Sequence, residues 1–131
     1  MITKKKEFTY RGKELEELKT LDVREFAKYV PSRNKRNILR NFQKLEDFIN
    51  RSKRKLEKGK PIKTHSRDLI VVPAMVGMKI GVYNGRNFIT FDVIGEMLGH
   101  KLGEFSVTRG RAKHSKAGVG ATKGTKHKSK K

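Results

Sequence analysis

Ser66 stands beside His65, while Ser115 and Ser129 lie among glycines and lysines near the end of the chain. No serine therefore has both a base and an orienting acid on a rigid frame, as nucleophilic catalysis requires. Gly118-Val119-Gly120 lacks the preceding strand, the following helix and the third glycine of a dinucleotide loop. Glu96 and Glu104 are the nearest thing to a carboxylate pair, but no pocket is indicated around them. The four histidines, His65, His100, His114 and His127, are not at helical metal-ligand spacing, and without cysteine there are no disulfides or cysteine-bearing zinc sites. No enzyme activity, metal, cofactor or small-molecule substrate is expected. The plentiful chemistry is ionic: 33 Lys and Arg against 13 Asp and Glu leave a formal charge of +20. Such self-repulsion opposes compaction until a polyanion neutralises it.

Nucleic acid, anionic membrane and acidic protein compete as that polyanion. A membrane partner would call for a basic amphipathic helix with bulky apolar residues opposite, or a lipidation signal, and Met1-Ile2-Thr3-Lys4-Lys5-Lys6 offers neither. No apolar run approaches the roughly 18 residues of a span, and no leader pattern opens the chain. A soluble, cytoplasmic protein with no membrane partner is expected. Its 131 residues suit one modest core with extensions.

The elements that must hold the cations fall in three zones, with an α+β fold overall. Residues 1–58 read as a basic leader and a helical extension. Tyr10-Arg11-Gly12 forms a turn, Glu14 to Lys19 a short helix, and Asp22 caps a second helix from Val23 to Tyr29 that Pro31 stops. Five of the thirteen acids lie between Glu14 and Glu25, a patch expected to face away from RNA or toward a basic neighbour. After Ser32, the spacing of Ile38, Phe42, Leu45, Ile49 and Leu56 predicts one long amphipathic helix, with Arg33, Arg36, Arg40, Lys44, Arg51 and Lys55 among its exposed cations.

Residues 59–108 read as a small three-stranded sheet and a short helix. Leu69 to Val72 is an expected buried strand closed by Pro73. Asn84-Gly85, between Met78–Tyr83 and Arg86–Phe91, predicts a two-residue type I′ hairpin pairing Tyr83 with Arg86, Ile80 with Ile89 and Met78 with Phe91. Its outer face would carry Lys79, Tyr83, Arg86 and Phe88, a mixture able to meet RNA or merely solvent. Ile94 to Leu98 reads as one or two helical turns ended by Gly99 in the left-handed conformation, with His100 and Lys101 at the helix end. Residues 109–131 hold nine Lys and Arg and no acid or aromatic, which predicts a disordered tail that only a polyanion orders.

From Asn84 onward, Asn84-Gly85-Arg86, Val93, Leu98-Gly99-His100-Lys101-Leu102-Gly103-Glu104-Phe105 and Thr108 resemble the signature of the ribosomal small-subunit protein nineteen family. Pro61 to Arg67 and Val72 to Gly77 are similar to that family's first strand and loop. Phe8-Thr9-Tyr10-Arg11-Gly12 and Lys113 to Thr122 resemble its archaeal and eukaryotic branch, with the archaeal side favoured. The polar close Gly124 to Lys131 departs from the apolar, proline-containing ending common in that branch. The resemblance implies a place in the head of the small subunit, on 16S-type rRNA beside protein thirteen, with the tail reaching toward tRNA. The contacts it implies are His65 and Arg67, Arg86, His100 and Lys101, and Arg109, Arg111, Lys113, His114 and Lys116 in the tail; Lys79 joins them from the hairpin face. Composition also permits a general nucleic-acid condenser, and the acidic segment Glu14 to Glu25 allows a third reading, an adaptor that docks a basic partner, which is compatible with RNA binding.

Overall fold

The computed structural model of the protein describes residues 8–113 and 116–127. Its first elements are the short strands β1 (Thr9–Tyr10) and β2 (Lys13–Glu14), paired antiparallel with Tyr10 opposite Lys13. The two residues between them, Arg11 and Gly12, have φ of 50° and 79°. This turn therefore has the two positive φ angles that a type I′ connection requires.

Helices α1 (Leu15–Thr20) and α2 (Val23–Phe26) follow, and a 3-10 turn, Ala27–Tyr29, extends α2 toward Pro31. At the start of α2 the Asp22 N–H donates to Glu25 Oε2 at 3.3 Å, tying down a backbone donor that the helix leaves unpaired. The expected single helix after Ser32 is two helices, α3 (Ser32–Arg40) and α4 (Phe42–Glu57). They part at Asn41, whose φ of −106° and ψ of 24° depart from helical geometry. The Asn41 N–H still donates to Asn37 O at 2.9 Å, and beside it Asn41 Nδ2 donates to Asn37 Oδ1 at 3.1 Å. Leu45, Phe48, Ile49 and Ser52 form the buried face of α4. Leu56, on the same stripe, is 47% exposed because the helix outruns the core.

The main sheet has the order β3-β4-β5, with β3 (Ile62–Thr64) parallel and β5 (Phe88–Asp92) antiparallel to the central β4 (Lys79–Tyr83). The third strand is thus Ile62–Thr64 and not Leu69 to Val72. The latter run is buried as expected, but Pro73 ends it and its backbone pairs instead with the chain around His100. Val71 N–H donates to His100 O at 2.8 Å, Gly99 N–H to Val71 O at 3.0 Å, and Leu102 N–H to Leu69 O at 2.9 Å.

The hairpin forms around Asn84-Gly85, but its register differs from the expected one by two residues: Tyr83 pairs with Phe88 and Ile80 with Phe91. The cause is the side chain of Asn84, whose Oδ1 accepts the N–H groups of Arg86 at 2.9 Å and Asn87 at 2.8 Å. This widens the loop to four residues, and only Gly85, at φ 98°, takes a positive φ. An even shift leaves each side chain on its expected face, so Ile80 and Val82 still point to the core.

In place of a helix from Ile94 to Leu98 there is a single 3-10 turn, Gly95–Met97, followed by Gly99 at φ 78°. The ring of Phe8 lies where a side chain on Gly95 would be, 2.7 Å from the position of a Cβ. A second 3-10 turn, Leu102–Phe105, docks Ser106 on β4, where its Oγ donates to Val82 O at 3.2 Å. One apolar cluster runs from Leu18 and Phe26 through Ile38 and Leu45 to Ile70, Ile80, Val82 and Leu102. Helical and sheet segments therefore share one core. The described residues beyond Arg109 are largely exposed, apart from half-buried Thr125, and contain only a 3-10 turn, Lys123–Thr125. Hydroxyl bonds hold that turn, with Thr125 Oγ1 accepting Gly120 N–H at 3.1 Å. No helix among the described residues is long and apolar enough to cross a membrane.

Candidate nucleic-acid interface

The first cationic cleft belongs to α3. One helical face presents Arg33, Arg36 and Arg40 at intervals of three and four residues, and the loop after Gly99 sets Lys101 against them. Asn34 fixes that loop, its Nδ2 donating to Gly99 O at 2.7 Å. The cleft, about 280 Å³, is completed by Asn37 and Asn41, and no carboxylate lines it. Four cations and two amides facing one space give the cleft the charge and the hydrogen-bond donors that an anion requires. His100, next to Lys101, is exposed and its Nδ1 lies 2.7 Å from Glu104 Oε2. Glu104 Oε1 accepts the Lys101 N–H at 3.3 Å, so a single carboxylate orients both residues.

A second cleft brings the hairpin tip to the root of the tail. Asn84, Gly85 and Arg86 line one side, and Val107, Thr108, Arg109 and Gly110 the other, again without an acid. Arg86 and Arg109, distant in sequence, thereby serve one surface.

The third region spans the outer sheet face and the neighbouring side of α4. His65 packs against Tyr83 and Phe88 at ring-centroid distances of 4.6 and 5.1 Å, and Lys63 Nζ stands 5.3 Å from the centre of the Phe88 ring. Lys63 and His65 also border a groove along α4 with Lys44, Arg51 and Lys55.

The remaining expected contacts fare differently. Lys79 is exposed opposite Asp92, on the same sheet face as Tyr83 and Phe88 but at its far end, and it lines none of the three clefts. Arg67 is turned inward: its Nη1 donates to Tyr83 O at 2.6 Å, and its Nη2 to Gly103 O at 2.8 Å and Ser106 O at 2.6 Å. With the guanidinium engaged by three carbonyls, its evident task is to lock the segment after Leu102 onto the sheet. Gly103 permits this approach, since a Cβ there would stand 3.0 Å from both Arg67 O and Arg67 Cβ. Arg111, Lys113 and Lys116 are exposed, and His114 lies outside the described residues, as do the basic leader and Lys128 to Lys131. The arginines of α3 were part of a broad basic helix in the sequence; their meeting with Lys101 depends on the Asn34 bond, which spacing does not reveal.

The five acids from Glu14 to Glu25 are all exposed, and none lines a cationic cleft. Asp68 lies outside the α4 groove but pairs with one of its cations, Lys44. Lys44 Nζ donates to its two oxygens at 3.1 and 2.9 Å, and this bond holds the carboxyl below its ordinary range against the opposing effect of partial burial. Among the described residues, no group of three or more His, Asp or Glu is placed to hold a metal ion.

A family model described as ribosomal protein S19 matches residues 27–114. A curated archaeal relative, the small ribosomal subunit protein uS19 of Metallosphaera sedula, is 43% identical over 122 residues, covering 90% of this chain and 87% of the relative.

Proposed function

We propose, from the premise that this chain belongs to the ribosomal protein S19 family, that it is a structural, non-catalytic constituent of the small ribosomal subunit that binds 16S-type rRNA. The observation that carries the reading is the distribution of cations: three separate surfaces built on one shared core present them, while the acids of α1 and α2 stand apart. A core of that kind fixes where each positive charge stands, so that it neutralises phosphates on several strands and lets them approach one another. Residues 59–108 form the α+β core that holds Lys63, His65, Arg86 and Lys101, 1–58 a helical extension that shares the core and adds the cations of α3 and α4, and 109–131 a cationic tail. In this reading the protein works on cytoplasmic ribosomes, in the subunit head beside protein thirteen, and the tail extends toward tRNA.

The test is a salt titration of binding to folded small-subunit rRNA, with random duplex DNA as competitor. If about six to ten phosphates are neutralised, affinity falls by roughly three to five orders of magnitude between low and moderately raised salt. Replacing Arg33, Arg36 and Arg40 together by Gln lowers the slope of log affinity against log salt by about two to three. A slope near zero, or equal affinity for rRNA and random DNA, overturns the proposal; equal affinity is the behaviour of a general condenser.

A further inference from the structure

We infer that the α4–β3 groove and the ring cluster beside it form a site for one unpaired ribonucleotide, with its phosphate in the groove and its base on the rings. The inference rests on the RNA-binding reading and adds to it the kind of RNA recognised. The groove encloses about 300 Å³, bordered by Lys44, Arg51, Lys55, Lys63 and His65. Lys44 is matched by Asp68, whereas Lys55 and Lys63 have no carboxylate within ion-pair distance among the described residues. Arg51 spends Nε on the carbonyl of Asp47, at 3.1 Å, which leaves the two outer nitrogens of its fork to other acceptors. Ser52 also lines the groove. It is 1% exposed, and its Oγ has no hydrogen-bond partner among the described residues. A buried hydroxyl left without a partner is costly, and a ligand or water in the groove is the simplest remedy.

The second half of the site is aromatic. His65, Tyr83 and Phe88 touch one another pairwise, with Tyr83 and Phe88 centroids 5.1 Å apart, and His65 is exposed while the other two are half-buried. Lys63 and His65 belong to both halves, since they border the groove and contact the Phe88 ring. One nucleotide can therefore place its phosphate among the cations and its base against the rings without bridging a gap. Paired bases are occupied in their own stack, so a duplex can use only the cations, whereas a splayed base can use both halves.

The experiment compares an unstructured octaribonucleotide with the same strand annealed to its complement, both titrated into the full chain. His65→Ala, a change at an exposed position, should weaken the single strand about 5- to 150-fold, the worth of one stacked base, and change duplex binding less than about twofold. Lys55→Gln should lower the single-strand salt slope by about 0.7. In NMR spectra the Phe88 ring resonances should move with the single strand and not with the duplex. Single-strand binding by His65→Ala equal to that of the parent, or Phe88 resonances indifferent to either RNA, would sink the nucleotide site while leaving cationic RNA binding in place. Failure of the parent protein to bind either RNA would overturn the underlying reading as well.

Discussion

The guanidinium of Arg67 donates to the carbonyl of Ser106 at 2.6 Å, closing a contact across 39 positions of sequence. The same group reaches Tyr83 O and Gly103 O, so one cation satisfies three backbone acceptors where strand β4 meets the last 3-10 turn of the core. Hydrogen bonds to a charged donor are the stronger kind, and removing the donor leaves partly buried carbonyls unpaired. Arg67→Lys, which keeps the charge but not the planar fork, should cost about 2–4 kcal/mol of stability in urea unfolding. RNA affinity, measured where the variant is still folded, should change little. Unchanged stability together with weakened RNA binding would return Arg67 to the list of phosphate contacts.

Lys44 and Asp68 give a pH-dependent signature. The bond from Lys44 lowers the Asp68 pKa in the folded state relative to the unfolded chain. The resulting stability is fully present above the unfolded carboxyl pKa and is lost as pH falls through the folded one. Both side chains are 47% exposed, so solvent screening limits the contribution to about 1 kcal/mol or less. Lys44→Ala should therefore be slightly less stable than the parent at neutral pH, with the difference vanishing once Asp68 is protonated in both states. An NMR titration should show the Asp68 pKa rising in the variant. A difference that persists in acid would mean that Lys44 stabilises the fold by packing and not by this bond.

How far the fold was legible in the sequence depended on whether the deciding interaction was local. The α2 cap at Asp22, the Arg11-Gly12 turn and the positive φ of Gly99 are set by neighbouring residues, and each appears where its residue types put it. The hairpin at Asn84-Gly85 was legible as a turn but not in its register, because Asn84 can either enter the left-handed region itself or accept backbone N–H groups, and here it accepts. Leu69 to Val72 was recognisable as buried, yet its partner, the chain around His100, is non-local and carries no period-two pattern. The same limit applies to the interface. Arg67 and Lys63 look alike in sequence as cations near a strand, and only the positions of three carbonyls separate an internal clamp from a surface charge.

The tail provides the last prediction. Most described residues from Arg109 onward are exposed and none is buried, and the buried core ends at Ser106. Deleting residues 109–131 therefore removes cations without opening the core, so urea unfolding should show a stability change of about 0.5 kcal/mol or less. Arg109 is an exception in position only, because it shares the hairpin-tip cleft with Arg86 and its loss leaves that cleft with one cation in place of two. RNA affinity at low salt should drop and the salt slope should shrink by roughly 0.7 to 0.9 for each tail cation that meets a phosphate. In reconstituted subunits the truncated protein should still assemble, with tRNA binding impaired more than incorporation. If the truncated chain unfolds, the tail is part of the fold; if it fails to assemble as completely as a subunit lacking the protein altogether, the folded core does not hold the rRNA by itself.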